Sequence, residues 1–186
     1  MTRDGSRVNR RAPGVTLLRA DGAGVIGHHG LMADLPPCGI YRTGRPLGDH
    51  VPAGRLVFFH RHGDPGPGVY LPRGWTGNRA RWHEQGHTIP STEWAATLIP
   101  LPPEGLYRVR EAFTCCARRC RTYEPDLLVQ LGYDAAARPL LFVPVWTDTG
   151  LAVPEIGSAV DDDRLAHLAP LKVAEAEGQP DGGALH

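Results

Sequence analysis

Short apolar runs separated by Gly and Pro dominate the middle of the chain. Leu56-Val57-Phe58-Phe59, Val69-Tyr70-Leu71, Leu127-Leu128-Val129-Gln130-Leu131 and Leu140-Leu141-Phe142-Val143 are each four or five residues at most, rich in β-branched and aromatic side chains. Runs of that length and composition, bounded by turn formers, predict β-strands. The segment His60 to Gly66, with Gly63-Asp64-Pro65-Gly66 at its centre, has the residues of a tight connection and predicts a hairpin. A helical period is scarce. Residues 76–85 suit one short helix. Asp161 to Leu168 suits another, with Asp161 or Asp162 as N-cap and acidic residues in its first turn. A final strand is expected at Leu171-Lys172-Val173.

The pattern repeats. Leu35-Pro36-Pro37-Cys38-Gly39-Ile40-Tyr41-Arg42 returns 66 residues later as Leu101-Pro102-Pro103-Glu104-Gly105-Leu106-Tyr107-Arg108. Further blocks follow in the same order. Leu56-Val57 leads in 17 residues to Pro72, and Leu128-Val129 leads in 17 residues to Pro144. Gly86-His87-Thr88-Ile89-Pro90 matches Gly150-Leu151-Ala152-Val153-Pro154, and Leu98-Ile99-Pro100-Leu101 matches Leu168-Ala169-Pro170-Leu171. Shared order across weak blocks points to an internal duplication. The units run over 35–100 and 101–173, preceded by an Arg-rich tail (1–14) expected to be disordered. An N-terminal strand segment (15–34) is expected to pack on unit one, and 174–186 reads as a second disordered tail.

About five short strands and a late helical turn per unit resemble the SH3-like small barrels in length and layout. The resemblance is architectural and rests on no signature residues. It implies a mainly β chain of two tandem SH3-like β-barrel units, with one or two short helices. Units this small bury little surface alone, so the two are expected to share a core or pack face to face. The 18 prolines fit strand ends and turns, because Pro inside a central strand removes a ladder hydrogen bond.

Charge changes this picture only in its distribution. Net charge is zero, yet residues 1–122 hold 17 Arg against 9 acids and residues 123–186 hold 3 basic residues against 11 acids. Two surfaces that attract across the unit boundary are the simplest reading. A basic face using Trp75, Arg79, Arg81 and Trp82 to stack on bases is the less favoured one, since no nucleic-acid module is present. No apolar run is long enough for a signal peptide or a membrane span, which makes a cytoplasmic protein without a membrane partner the default expectation.

Three of the four cysteines, Cys115, Cys116 and Cys120, lie where unit two is longer than unit one: 19 residues (109–127) against 13 (43–55) between matching blocks. Thiolates are soft ligands suited to zinc, and a structural site wants four N or S donors. Arg118, Arg119 and Arg121 are expected to help ionise the thiols. A fourth ligand has to come from afar, with Cys38, His50, His60 and His62 as candidates. His60-Arg61-His62 also projects two imidazoles to one face if its strand continues. A separate string, His83-Glu84-Gln85-Gly86-His87, matches His-Glu-x-x-His and so resembles the zincin metalloproteases. That resemblance implies ligands His83 and His87 and a general base Glu84, provided the string is helical. Gly86 and Pro90 oppose a helix there. The leading expectation is a non-enzymatic protein-interaction or structural module, zinc-stabilised through the cysteines, whose partner is another protein. A zinc-dependent peptidase is the alternative.

Overall fold

The computed structural model describes residues 35–173, so the expectations for 1–14, 15–34 and 174–186 lie outside the described residues. The chain is mainly β, arranged in several antiparallel sheets. In chain order the first strands are β1 (Gly39–Arg42), β2 (Leu56–His60), β3 (Gly68–Tyr70), β4 (Pro72–Thr76), β5 (Arg79–Trp82) and β6 (His87–Thr88). Helix α1 (Thr92–Ala95) and β7 (Ile99–Pro100) follow. Next are β8 (Gly105–Val109), β9 (Phe113–Thr114), β10 (Thr122–Tyr123), β11 (Leu128–Tyr133), β12 (Pro139–Phe142), β13 (Val145–Thr147), β14 (Gly150–Ala152) and β15 (Ser158–Ala159). A 3-10 helix (Asp162–His167) and β16 (Leu168–Pro170) end the described chain.

Two five-stranded sheets result, in the orders β6-β3-β2-β1-β7 and β15-β12-β11-β8-β16. Matched strand for strand, the orders are the same, and so is the register. Gly39 pairs Phe59 and Arg42 pairs Leu56; Gly105 pairs Leu131 and Arg108 pairs Leu128. Val69 pairs Phe59 as Leu141 pairs Leu131. The hydroxyls of Tyr41 and Tyr107 donate to the carbonyls of Pro37 and Pro103, at 2.8 and 2.7 Å. Each sheet is an open ladder: β6 pairs only with β3, β7 only with β1, and the second sheet is likewise unclosed. The expected barrel closure is therefore absent from the described hydrogen-bond ladders.

The structure corrects three local expectations. Residues 76–85 form no helix. They close the hairpin β4–β5, because Gly77 and Asn78 both adopt positive φ (57° and 63°), the geometry of a two-residue hairpin turn. The last strand is Leu168–Pro170 and not Leu171–Val173, since Pro170 pairs Tyr107 just as Pro100 pairs Tyr41. Gly86–Pro90 does not match Gly150–Pro154, which belongs to hairpin β13–β14. By register it matches 157–161: His87 pairs Val69 as Ser158 pairs Leu141. The Ile89 amide donates to the Pro67 carbonyl at 3.0 Å, and the Val160 amide donates to Pro139 at 3.1 Å. Gly86 and Gly157 each lie where an added Cβ would come within 2.8 Å of an aromatic ring, Tyr70 and Phe142 respectively. Glycine is needed there for close approach of backbone to ring. The second helical expectation is met by a 3-10 helix after Asp161, although the Asp161 side chain makes no capping hydrogen bond.

Two apolar clusters fill the body. Val57, Phe59, Val69, Trp94 and Ala95 anchor one. Val109, Tyr123, Val129, Leu131 and Leu141 anchor the other, which also takes in Leu56 from β2 and Ala80 from hairpin β4–β5. Those two residues make the first half of the chain part of the second core. An ion pair joins the halves: the Arg42 guanidinium donates to both Asp162 carboxylate oxygens at 2.6 and 2.8 Å and to the Ala137 carbonyl at 2.7 Å.

Candidate functional site

Two regions concentrate side chains that chemistry or recognition can use: the β9–β10 cysteine turn and the pair of hairpins β4–β5 and β13–β14.

The cysteine turn is built by the pairs Phe113–Tyr123 and Thr114–Thr122, which hold residues 115–121 as one loop. Phe113 and Tyr123 stack with ring centroids 4.9 Å apart and seat the hairpin in the core. The three Sγ atoms of Cys115, Cys116 and Cys120 all lie within 4.8 Å of one another. Cys115 is buried, Cys116 half-buried and Cys120 exposed. Backbone amides point at the sulfurs. Arg121 N–H donates to Cys115 Sγ at 3.3 Å, and the amides of Cys120 and Arg118 donate to Cys116. The Cys120 amide is the largest influence holding the Cys116 thiol below its ordinary range, with the Cys115 thiol next. Cys120, hydrogen-bonded to Cys116, is pushed the other way. Arg118 acts through its backbone amide, and no guanidinium charge is among the causes. Arg121 donates to Ser158 Oγ at 3.1 Å and lies over the Tyr123 ring. Three thiols with one favoured as thiolate make a donor set that fits a soft metal ion.

The expected fourth ligands are elsewhere. Among the described residues no other His, Cys, Asp or Glu joins the three cysteines. Cys38 Sγ accepts from the Arg61 amide at 3.4 Å. His50 stacks on His87 at 5.7 Å between ring centroids, and His60 and His62 face each other edge-on at 6.0 Å. The zincin-like string is not helical: His83 follows β5, with its amide bonded to the Leu71 carbonyl, and His87 opens β6. The helical turn that would put both imidazoles on one face is absent. Glu84 is exposed and lies 4.0 Å from Arg73.

The two hairpins carry the same pair, Trp-Thr, at the same register. Trp75 pairs Ala80 and Thr76 pairs Arg79; Trp146 pairs Leu151 and Thr147 pairs Gly150. Their surroundings differ. Hairpin β4–β5 lies on β11. The Trp75 indole donates to the Tyr133 carbonyl at 2.8 Å, and the Asn78 amide donates to Gln130 Oε1 at 3.2 Å and the Pro154 carbonyl at 2.9 Å. Gln130 answers with a bond to the Gly77 carbonyl at 2.8 Å. Gly132 admits the hairpin: a Cβ there would lie 2.5 Å from the Asn78 oxygen. Trp82 packs against the second core and tilts against Phe58 at 5.8 Å, so the proposed base-stacking tryptophans are engaged within the chain. Among the described residues hairpin β13–β14 has no such hydrogen bonds to another sheet. Trp146 is 81% exposed, and Val145, Leu151, Val153 and Ile156 are exposed beside it.

Glu104, which replaces the exposed Cys38 of the first repeat, was not singled out by sequence because Pro-Pro-Glu-Gly reads as an ordinary turn. It is 8% exposed. Its Oε2 accepts the Ala80 amide of hairpin β4–β5 at 2.9 Å, and Oε1 has no partner. Burial pushes its carboxyl above the ordinary range, against the pull of the Ala80 amide, Arg79 and the Tyr133 amide.

No described helix is long and apolar enough to cross a membrane. Compared with models of protein families, with curated proteins and with solved structures, the chain matches none.

Proposed function

We propose that this chain is a non-enzymatic interaction module of two SH3-like units, 35–100 and 101–173, derived by internal duplication. Shared strand order, shared register and repeated hydrogen bonds support the duplication. The observation that carries the function is the contrast between Trp75 and Trp146. Trp75, 42% exposed, is tied to the Tyr133 carbonyl, whereas hairpin β13–β14 leaves Val145, Trp146 and Leu151 exposed, with Val153 and Ile156 exposed just after it. Trp146 and Leu151 are cross-strand partners and share one face of the hairpin, and exposed large apolar groups set together mark interaction sites. Aromatic anchors on a rigid hairpin suit a protein partner. Zinc is the ion proposed for Cys115, Cys116 and Cys120, where it fastens the end of β9–β10 and takes one further donor to complete its shell. Free thiols throughout fit a reducing, cytoplasmic setting.

The test is a photo-crosslinking amino acid placed at position 146 in living cells, with position 75 as the control. Protein adducts from 146 and none from 75 are expected. No protein adduct from 146 would contradict the interaction reading. Elemental analysis of the purified protein checks the metal: one zinc per chain is expected, lost in Cys116→Ser. Unchanged metal content in that variant would remove the cysteine site.

A further inference from the structure

The β9–β10 turn brings three thiols together and exposes them unequally. Cys116 Sγ lies 3.5 Å from Cys115 Sγ and 3.8 Å from Cys120 Sγ. Backbone geometry chooses between these two neighbours. Adjacent Cα atoms stand about 3.8 Å apart or closer, short of the about 4.4–6.8 Å that a disulfide usually spans. Cys115 and Cys116 therefore touch without being able to bond in an undistorted chain. Cys115 is also held in place. It is 4% exposed, and its Sγ accepts the Arg121 amide at 3.3 Å. Its own amide donates to the Arg121 carbonyl, and its carbonyl accepts the Asp161 amide, both at 2.9 Å.

Cys116 and Cys120 stand across a turn instead. The Arg119 amide donates to the Cys116 carbonyl at 2.9 Å, and Arg119 adopts a positive φ of 54°, which turns the chain back at residue 120. Both sulfurs can meet a small reagent, since Cys116 is half-buried and Cys120 exposed. Closing their gap to a bond of about 2.05 Å takes side-chain movement at the tip of a loop whose base stays fixed at Cys115 and Arg121.

We propose that Cys116 and Cys120 form a reversible disulfide when the protein meets a hydroperoxide, and that this bond releases the zinc. The release rests on the zinc reading above; the disulfide does not. In the zinc-bound chain both sulfurs are thiolates. One attacks the terminal oxygen of the hydroperoxide, the O–O bond breaks, and the leaving oxygen takes a proton from solvent. The second sulfur attacks the resulting sulfenic acid. The S–S bond forms, the S–O bond breaks, and the oxygen leaves as water with a second proton from solvent. The two sulfurs lose two electrons, which reduce hydrogen peroxide to two waters. In the metal-free chain the two thiols supply the protons. Zinc is left with Cys115 alone of its three thiolates, too few for a structural site, and departs as the divalent ion.

Trypsin reads the bond directly. Arg118 and Arg119 lie between the two cysteines, so cleavage leaves Cys116 in peptide 111–118 and Cys120 in peptide 120–121. Only a disulfide keeps these peptides together. The full chain, as purified, is treated with a small excess of hydrogen peroxide, remaining thiols are capped, and the digest is read by mass spectrometry beside a zinc-responsive dye. The expected result is joined peptides, an intact mass lower by two hydrogens, zinc freed in equal amount, and reversal by a phosphine reductant. Cys115→Ser is expected to keep the link, with circular dichroism checking its fold. Peptides that stay separate would overturn the proposal, and so would a link lost in a folded Cys115→Ser. Sulfinic acid formed at Cys116 or Cys120 in place of the link would do the same. Zinc that stays on linked protein would overturn the release. Zinc retained while the peptides stay separate would overturn the switch and leave the zinc reading standing. A link formed in protein purified without zinc would support the disulfide and remove the zinc reading.

Discussion

Hairpins β4–β5 and β13–β14 occupy the same place in the strand order of the two units, each as a separate two-stranded sheet, yet one is seated and the other is open. Sequence differences explain the split only in part. Both carry Trp-Thr. Gly77-Asn78 gives the first a tight turn whose Asn side chain reaches Gln130 and Pro154, while Asp148-Thr149 gives the second a charged tip. The larger cause is position: the first hairpin lies on β11, and among the described residues no such seat holds the second. Equivalent local structure thus acquires different roles from its neighbours, as tertiary context outweighs local preference.

The largest expected contrast between two variants tests that split directly. Trp75→Ala removes an indole that is 42% exposed but leaves the Tyr133 carbonyl without its donor, and is expected to lower stability by about 1–2 kcal/mol. Trp146→Ala, at an open site, is expected to stay within about 0.5 kcal/mol of wild type under monomeric conditions. Denaturant melts of the two variants read the difference, and equal losses would break the comparison.

A second pair sharpens the equivalence and not the contrast. Gly86→Ala and Gly157→Ala each push a Cβ against a ring, Tyr70 or Phe142, and both are expected to cost about 1–3 kcal/mol. A large loss in one and none in the other would show that the two sheets are packed by different rules.

Glu104 and Cys38 give the next effect, and it depends on pH. Burial raises the folded-state value of Glu104, so its contribution to stability is complete below the ordinary glutamate range and is lost as pH rises through the raised value. Glu104→Gln keeps an acceptor for the Ala80 amide and is expected to raise stability at neutral pH by about 1 kcal/mol, with no gain in acid. Melting temperatures across pH 4–8 check this, and a gain that is independent of pH would contradict the cause given. Asp162 works in the opposite sense. The Arg42 hydrogen bond lowers its value, so its contribution is present above the ordinary aspartate range and fades as pH falls. Asp162→Asn is expected to have the smallest effect of the set, because half of the carboxylate faces water. A loss in that variant that does not shrink towards acid would contradict the pairing with Arg42.

How much of this was legible depended on which interactions are local. The strands at 56–60, 68–70, 128–133 and 139–142 follow from β-branched and aromatic runs between turn formers, and the Leu-Pro-Pro phrases carry the register of both sheets. The cysteine cluster was legible because a short hairpin brings its own ends together. Residues 76–85 were misread because Arg79, Ala80, Arg81, Glu84 and Gln85 favour helix, while two left-handed residues, Gly77 and Asn78, decide the turn. The Gly86–Pro90 block was matched to the wrong Gly-to-Pro spacing, since what defines its partner is the ring under Gly157, a contact between residues distant in sequence. The burial of Glu104 depends on a hairpin arriving from the other unit, and no local pattern signals it. The same holds for the remote ligands: His60 and His62 read well as donors, but their strand ends away from the cysteines.

Amide hydrogen exchange of the wild-type chain, at a concentration where it is monomeric, tests the account most directly. Peptides covering 72–82 are expected to be protected to nearly the level of β11, and peptides covering 145–152 to exchange orders of magnitude faster. Equal protection of the two hairpins in the monomer would contradict the claim that one is seated and the other presented.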